Sequence, residues 1–194
     1  MKIDKNNLED ILELTPFQEG LLVHYLQNTT SQYTEQLYLK LTGKIDRELF
    51  ESIWQNITDN NEVLRSFFRW KAIKKPVIIV LKEHQPRIEY LDLSGQDPDD
   101  IDEKIAEIRS KDINKEFDLS EVPFRIKLIK IHDESYVMLM SNHHILYDGW
   151  STGIILKEFF QQFGSALAET DLLPKDKKAR YKDCLLYTSP SPRD

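Results

Sequence analysis

Residues Tyr136 to Met140 read Tyr-Val-Met-Leu-Met, five side chains with none suited to solvent, and this run constrains the chain more than any other. A strand apolar on both faces is stable only when covered on both sides, so it predicts the central strand of a sheet with further layers above and below. The segment before it, residues 123 to 131, sets Phe124, Ile126 and Leu128 against Arg125 and Lys127 and reads as a neighbouring strand with one polar face. Directly after it come Ser141-Asn142-His143-His144-Ile145-Leu146-Tyr147-Asp148-Gly149-Trp150-Ser151. A helix with Ile154, Ile155, Phe159, Phe160 and Phe163 turned inward is predicted to follow.

The other elements must supply the covering layers. Thr15-Pro16-Phe17-Gln18 has the form of a capping box with proline at the first helical position. Phe17, Leu21, Leu22, Tyr25 and Leu26 recur at helical spacing, which predicts a helix over 16–27. Alternation over 35–42 predicts a half-buried strand ending at Gly43. Asp46 caps a helix striped with Leu49, Phe50, Ile53, Trp54 and Ile57. Residues 63–70, 76–81 and 87–91 are short, branched and aromatic, and predict strands. Asp97-Pro98 opens a third helix whose acidic first turn suits the helix dipole, with Ile101, Ile105 and Ile108 inward. The expected fold class is an α/β (α+β) sandwich with a mixed β-sheet and flanking helices.

Composition limits the partners. The 194 residues carry a net charge of −7 with no basic block, which argues against nucleic acid or an anionic membrane as ligand. No stretch approaches the roughly 18 apolar residues of a membrane span, so a cytoplasmic protein is expected. The single cysteine, Cys184, allows neither an internal disulfide nor a cysteine-based metal cluster.

Chemistry concentrates in the paired histidines. Neighbouring side chains on a strand point to opposite faces, so one of His143 and His144 is expected to be structural and the other to face a crevice. An imidazole, with its unperturbed pKa of about 6.5, can exchange protons there near neutral pH. Asp148 before Gly149 suits a turn, or acceptance of a charge-assisted bond from a buried arginine. No third ligand sits at metal-binding spacing, and the nucleophile elbow, phosphate loop and dinucleotide fingerprint are absent. His24, His84 and His132 read as packing or solvated residues.

His143-His144-Ile145-Leu146-Tyr147-Asp148-Gly149 matches the HHxxxDG signature, and the chain thereby resembles the condensation domains of nonribosomal peptide synthetases. Two further segments resemble family motifs in the same order. One is Leu14-Thr15-Pro16-Phe17-Gln18-Glu19-Gly20-Leu21-Leu22; the other runs from Asn61 to Arg69. In the second, Asn61 stands where many members have histidine and Ser66 where they have threonine.

The resemblance implies a chloramphenicol acetyltransferase-like fold, of which residues 1–183 would form the N-terminal lobe of a two-lobed domain with its active site between the lobes. It also implies an acyltransferase that joins carrier-bound thioesters through an amide. His144 would be the catalytic histidine and His143 its structural neighbour. Asp148 would pair with Arg65, and Gly149 would keep the loop beside the thioester clear. No cofactor would bind directly, because phosphopantetheine arms arrive on donor and acceptor carrier proteins. The C-terminal lobe and an adenylation domain would be the other partners, and the lobe alone would be inactive and poorly soluble.

Epimerisation domains share HHxxxDG, but the opening motif is closer to condensation domains, of the kind that follows an epimerising module. Heterocyclisation domains carry aspartates in place of both histidines. Free-standing acetyltransferases of the related fold carry one histidine, and they act as trimers with coenzyme A. A non-catalytic interaction lobe is the alternative from another class. Residues 184–194 break from the helical pattern, and back-translate into a string resembling the adapter of transposase-based sequencing libraries. They are expected to be read-through rather than evolved sequence, in which case the protein proper has no cysteine.

Overall fold

The computed structural model describes residues 4–27, 33–167, 178 and 180–183. The suspected read-through tail, 184–194, lies outside the described residues.

The doubly apolar run is central, as its composition demands. Strand β7 (Ser135–His143) lies between β2 (Thr34–Thr42) and β6 (Phe124–His132), antiparallel to both, and β5 (Arg87–Asp92) adds to β6 in parallel. This is a four-stranded mixed sheet of order β2-β7-β6-β5. A separate three-stranded antiparallel sheet holds β4 (Val77–Leu81) between β1 (Leu8–Glu13) and β3 (Ser66–Arg69).

Alternation along β7 divides the core. Met138 and Met140 face the larger cluster, shared with the smaller sheet and with helices α1 (Pro16–Leu26), α2 (Arg47–Asn60) and α4 (Gly149–Leu167). Val137 and Leu139 face the opposite way, onto Ile105 of α3 (Pro98–Ile113), with Ile101 and Ile108 packed beside it. Trp54 stacks on Phe159 and meets Phe124 at an angle, tying α2, α4 and β6 together.

The capping box at Thr15 and Gln18 is formed, and Asp46 and Asp97 cap α2 and α3. The last turn of α3 holds a buried carboxylate, Asp112, which accepts from Ser141, Gln36 and Arg125. Burial opposes that charge, but the Ser141 hydroxyl and the Arg125 guanidinium outweigh it and hold the carboxyl below its ordinary range. Arg125 also donates to the Asp112 and Lys115 carbonyls, supplying the cation that a helix C-terminus favours.

Several expectations are corrected. The predicted strand 63–70 begins as a 3₁₀ turn, Glu62–Arg65, because the chain must reverse between α2 and β3; the turn buries Leu64 and Arg65. Strand β1 was not legible. Three of its six residues are acidic, and among the described residues their carboxylates meet cations from far along the chain: Glu9 meets Arg65, Asp10 meets Arg180 at 2.6 Å, and Glu13 meets Lys75 at 3.9 Å.

On α4, Ile155 and Phe159 are buried, while Ile154 and Phe160 are each nearly half exposed. At about 100° per residue, Phe160 lies one step round the helix from Phe159 and Ile154 about 140° away, too wide for a single inward stripe. On α1, Leu21 and Leu22 are buried, whereas Phe17 and Leu26 are more than half exposed.

Candidate functional site

The site is built where β7 runs out. The register pairs Thr34 with His143 and Glu35 with Asn142. Beyond the strand the His144 amide still donates to the Tyr33 carbonyl at 2.8 Å, so His144 remains held by the residue that leads into β2. The chain then turns: the Leu146 amide donates to the His143 carbonyl at 3.0 Å, and Ile145, Leu146 and Tyr147 fold into the core. Gln18 of α1 pins the turn by donating Nε2 to the Ile145 carbonyl at 3.0 Å. The same side chain accepts from the Thr15 amide with Oε1, so one buried glutamine both caps α1 and braces the histidine loop.

The two histidines have different environments, as strand alternation requires. His143 is 1% exposed, between the rings of Tyr25 and Tyr33. Its Nδ1 accepts from the Ile145 amide at 3.1 Å, so in the neutral ring the proton sits on Nε2, which is buried and has no hydrogen-bond partner among the described residues. Burial, helped by neighbouring His144, drives the His143 pKa down from 6.5 to about 4. This ring is neutral at physiological pH, and both its nitrogens are enclosed.

His144 keeps 28% of its side chain exposed, with the exposed Phe17 ring edge-on at 6.1 Å. Its Nδ1 lies 3.0 Å from the Tyr147 carbonyl. A carbonyl can only accept, so the contact places the proton on Nδ1 and leaves the lone pair on Nε2. The ring is thus fixed as a base at Nε2.

Asp148 and Gly149 begin α4. The Asp148 carboxylate accepts from the Ser151 amide and hydroxyl, both at 2.9 Å, as an N-cap does, and these bonds hold its pKa below the ordinary value. The expected pairing with Arg65 is not the one in this structure. Arg65 is buried beside β1 and donates Nη1 to Glu9 and to the Leu81 carbonyl, while Asp148 is exposed. A helix start requires an acceptor for its free amides, and Ser151 takes up the carboxylate locally. A Cβ on Gly149 would meet nothing within 4 Å among the described residues, so no close neighbour here demands glycine.

Sequence reasoning missed three contributors. Glu35 lies 3.6 Å from His144 Nδ1 through Oε2, and that oxygen also accepts from Asn142 at 3.2 Å. Tyr147 has a buried hydroxyl with no partner among the described residues, and burial, then the charge of Glu35, pushes its pKa up. Gln18 was legible as a cap but not as the brace of a loop 127 positions away. Among the described residues no group of three potential ligands could hold a metal ion, and no helix is long and apolar enough to cross a membrane.

The comparisons with known proteins bear on this geometry. The family model for the condensation domain matches residues 8–186, from the first strand through the histidine loop and beyond α4. The chain belongs to the condensation domain family. Surfactin synthase subunit 3 of Bacillus subtilis is 33% identical over 188 residues, 96% of this condensation-domain chain but 15% of that protein. Bacitracin synthase 3 of Bacillus licheniformis is 34% identical over 165 residues, 84% of the chain and 3% of the synthase. Among solved structures, the starter condensation domain of rhizomide synthetase aligns with a TM-score of 0.77 at 21% identity, covering 92% of this chain and 45% of that one. The first condensation domain of the calcium-dependent antibiotic synthetase, in complex with a substrate analogue, gives 0.74 at 16% identity, covering 87% and 40%. These likenesses establish the chloramphenicol acetyltransferase-like fold expected from the motifs. The chain spans less than half the length of the structures, and at most 15% of the two synthases.

Proposed function

We propose that this condensation-domain chain contributes the proton-accepting half of an amide-forming acyl transfer, in which an amine on one carrier protein attacks a thioester on another. The observation that carries the reading is the Nδ1 contact of His144 with the Tyr147 carbonyl, which leaves Nε2 as a fixed base on a partly exposed ring. The amine nitrogen bonds to the thioester carbonyl carbon, and the carbon–sulfur bond then breaks. His144 Nε2 takes the proton released from nitrogen and passes it to the departing thiolate, so charge and atoms balance.

Magnitudes favour this timing. A free α-amino group has a pKa of about 7.7 to 8.0, so prior deprotonation gains only about 1 kcal/mol near neutral pH. Orienting the amine and accepting the proton as the intermediate collapses offer more. His143, neutral and enclosed, supports the loop rather than reacting. The acyl groups arrive on phosphopantetheine arms of donor and acceptor carriers, and a C-terminal lobe completes the channel, so the lobe alone is inactive. An adjacent adenylation domain supplies the activated substrate.

The test is His144→Ala in the complete domain with loaded carriers. Turnover should fall at least roughly 10²-fold, the low end for loss of a general base. Amide formation at a near-normal rate would overturn the assignment.

A further inference from the structure

On the reading of His144 as the proton acceptor, we infer that Glu35 is a positioning residue whose carboxylate stabilises the imidazolium as His144 takes the proton. Three observations converge on it. The strand register sets Glu35 opposite Asn142, two residues before His144 on the central strand. Asn142 is buried and donates Nδ2 to Glu35 Oε2 at 3.2 Å, which restrains the carboxylate. The same oxygen lies 3.6 Å from His144 Nδ1.

The chemistry follows from which nitrogen faces which group. In the resting ring, Nδ1–H is directed at the Tyr147 carbonyl, and Nε2 is the base. Once Nε2 is protonated the positive charge is shared by both nitrogens. Nδ1–H then lies beside a carbonyl dipole and a carboxylate, which attract the cation more than the neutral ring. The interaction is therefore stronger after proton transfer than before it, as a contribution to catalysis requires. The carbonyl fixes the tautomer, and the carboxylate supplies the charge. Glu35 is partly exposed, so solvent screens the attraction and a moderate effect is expected.

Shape and charge separate cleanly at this position. Glu35→Gln keeps the length of the side chain and an oxygen for Asn142 but removes the charge, whereas Glu35→Asp shortens the side chain and keeps the charge. Both are compared with wild type and His144→Ala in the complete condensation domain, measuring kcat and KM for the two carrier-bound substrates. Glu35→Gln should lose roughly tenfold in kcat, the factor that about 1.4 kcal/mol of transition-state stabilisation carries, with KM unchanged. Glu35→Asp should retain more activity than Glu35→Gln.

The reverse order, with Glu35→Gln matching wild type and Glu35→Asp impaired, would show a role in shape and overturn the inference. Full activity in both variants, alongside an inactive His144→Ala, would also overturn it while leaving His144 as the base. Retained activity in His144→Ala would instead remove the reading on which it rests.

Discussion

Replacing Asp148 by alanine separates two roles that differ several-fold in energy. As an N-cap it satisfies the Ser151 amide, and loss of such a cap costs about 1 kcal/mol. As one partner of a buried ion pair with Arg65, its removal would strand a guanidinium and cost about 3–5 kcal/mol. The structure places the carboxylate in solvent at the head of α4 and gives Arg65 to Glu9 and the Leu81 carbonyl. The smaller figure is therefore expected. For a chain of this size it corresponds to a melting point lower by roughly 2–4 °C.

Asp148→Asn should cost less than Asp148→Ala, because asparagine caps about as well as aspartate and only the charge at the helix dipole is lost. The folded pKa of Asp148 is depressed, so its charge contributes stability above the unfolded value near 3.9, and that contribution disappears as pH falls through the folded value. Urea unfolding of Asp148→Ala, Arg65→Met and the double variant closes the cycle. A coupling energy within about 0.5 kcal/mol of zero is expected for groups that do not touch. A coupling above about 2 kcal/mol would place the two side chains together and refute the capping argument.

Two further perturbations probe the loop. The folded pKa of His143, about 4, lies below its unfolded value of 6.5, so the stability of a neutral His143 is complete above pH 6.5 and is lost as pH falls toward 4. That loss is on the order of 3 kcal/mol across the window, at about 1.4 kcal/mol per unit. In urea midpoints, the stability difference between wild type and His143→Gln should shrink over that range, and a pH-independent difference would contradict the burial argument. Gln18→Glu keeps an acceptor for the cap but loses the donor to the Ile145 carbonyl. It should destabilise by about 1–3 kcal/mol, as expected when a buried acceptor loses its donor. Wild-type stability in that variant would show that the loop needs no brace from α1.

Much of the architecture follows from local patterns. The capping residues Thr15, Asp46 and Asp97, the alternation of β6 and the doubly apolar β7 are interactions between near neighbours or demands for cover, and a linear sequence displays both. The histidine pair was legible for the same reason, since adjacent side chains at a strand end must diverge. Strand β1 was hidden because the cations that neutralise its carboxylates lie at Arg65 and Arg180, far along the chain.

The partners of the site were hidden too. Asp148 carries the same residue code whether it caps a helix or pairs with Arg65, and only the folded chain shows Ser151 taking its carboxylate. Glu35 reads as one polar position in an alternating strand, and its place beside His144 arises from the β2–β7 register. Sequence thus determined most of the elements, β1 excepted, and which residue types can react, because propensity, capping and periodicity act over a few residues. Tertiary structure decided which carboxylate stands beside His144 and what braces its loop, because those contacts join β2, the end of β7 and α1 across more than a hundred residues, while the nitrogen of His144 that keeps its lone pair is set by the turn that brings the Tyr147 carbonyl, three residues on, against Nδ1.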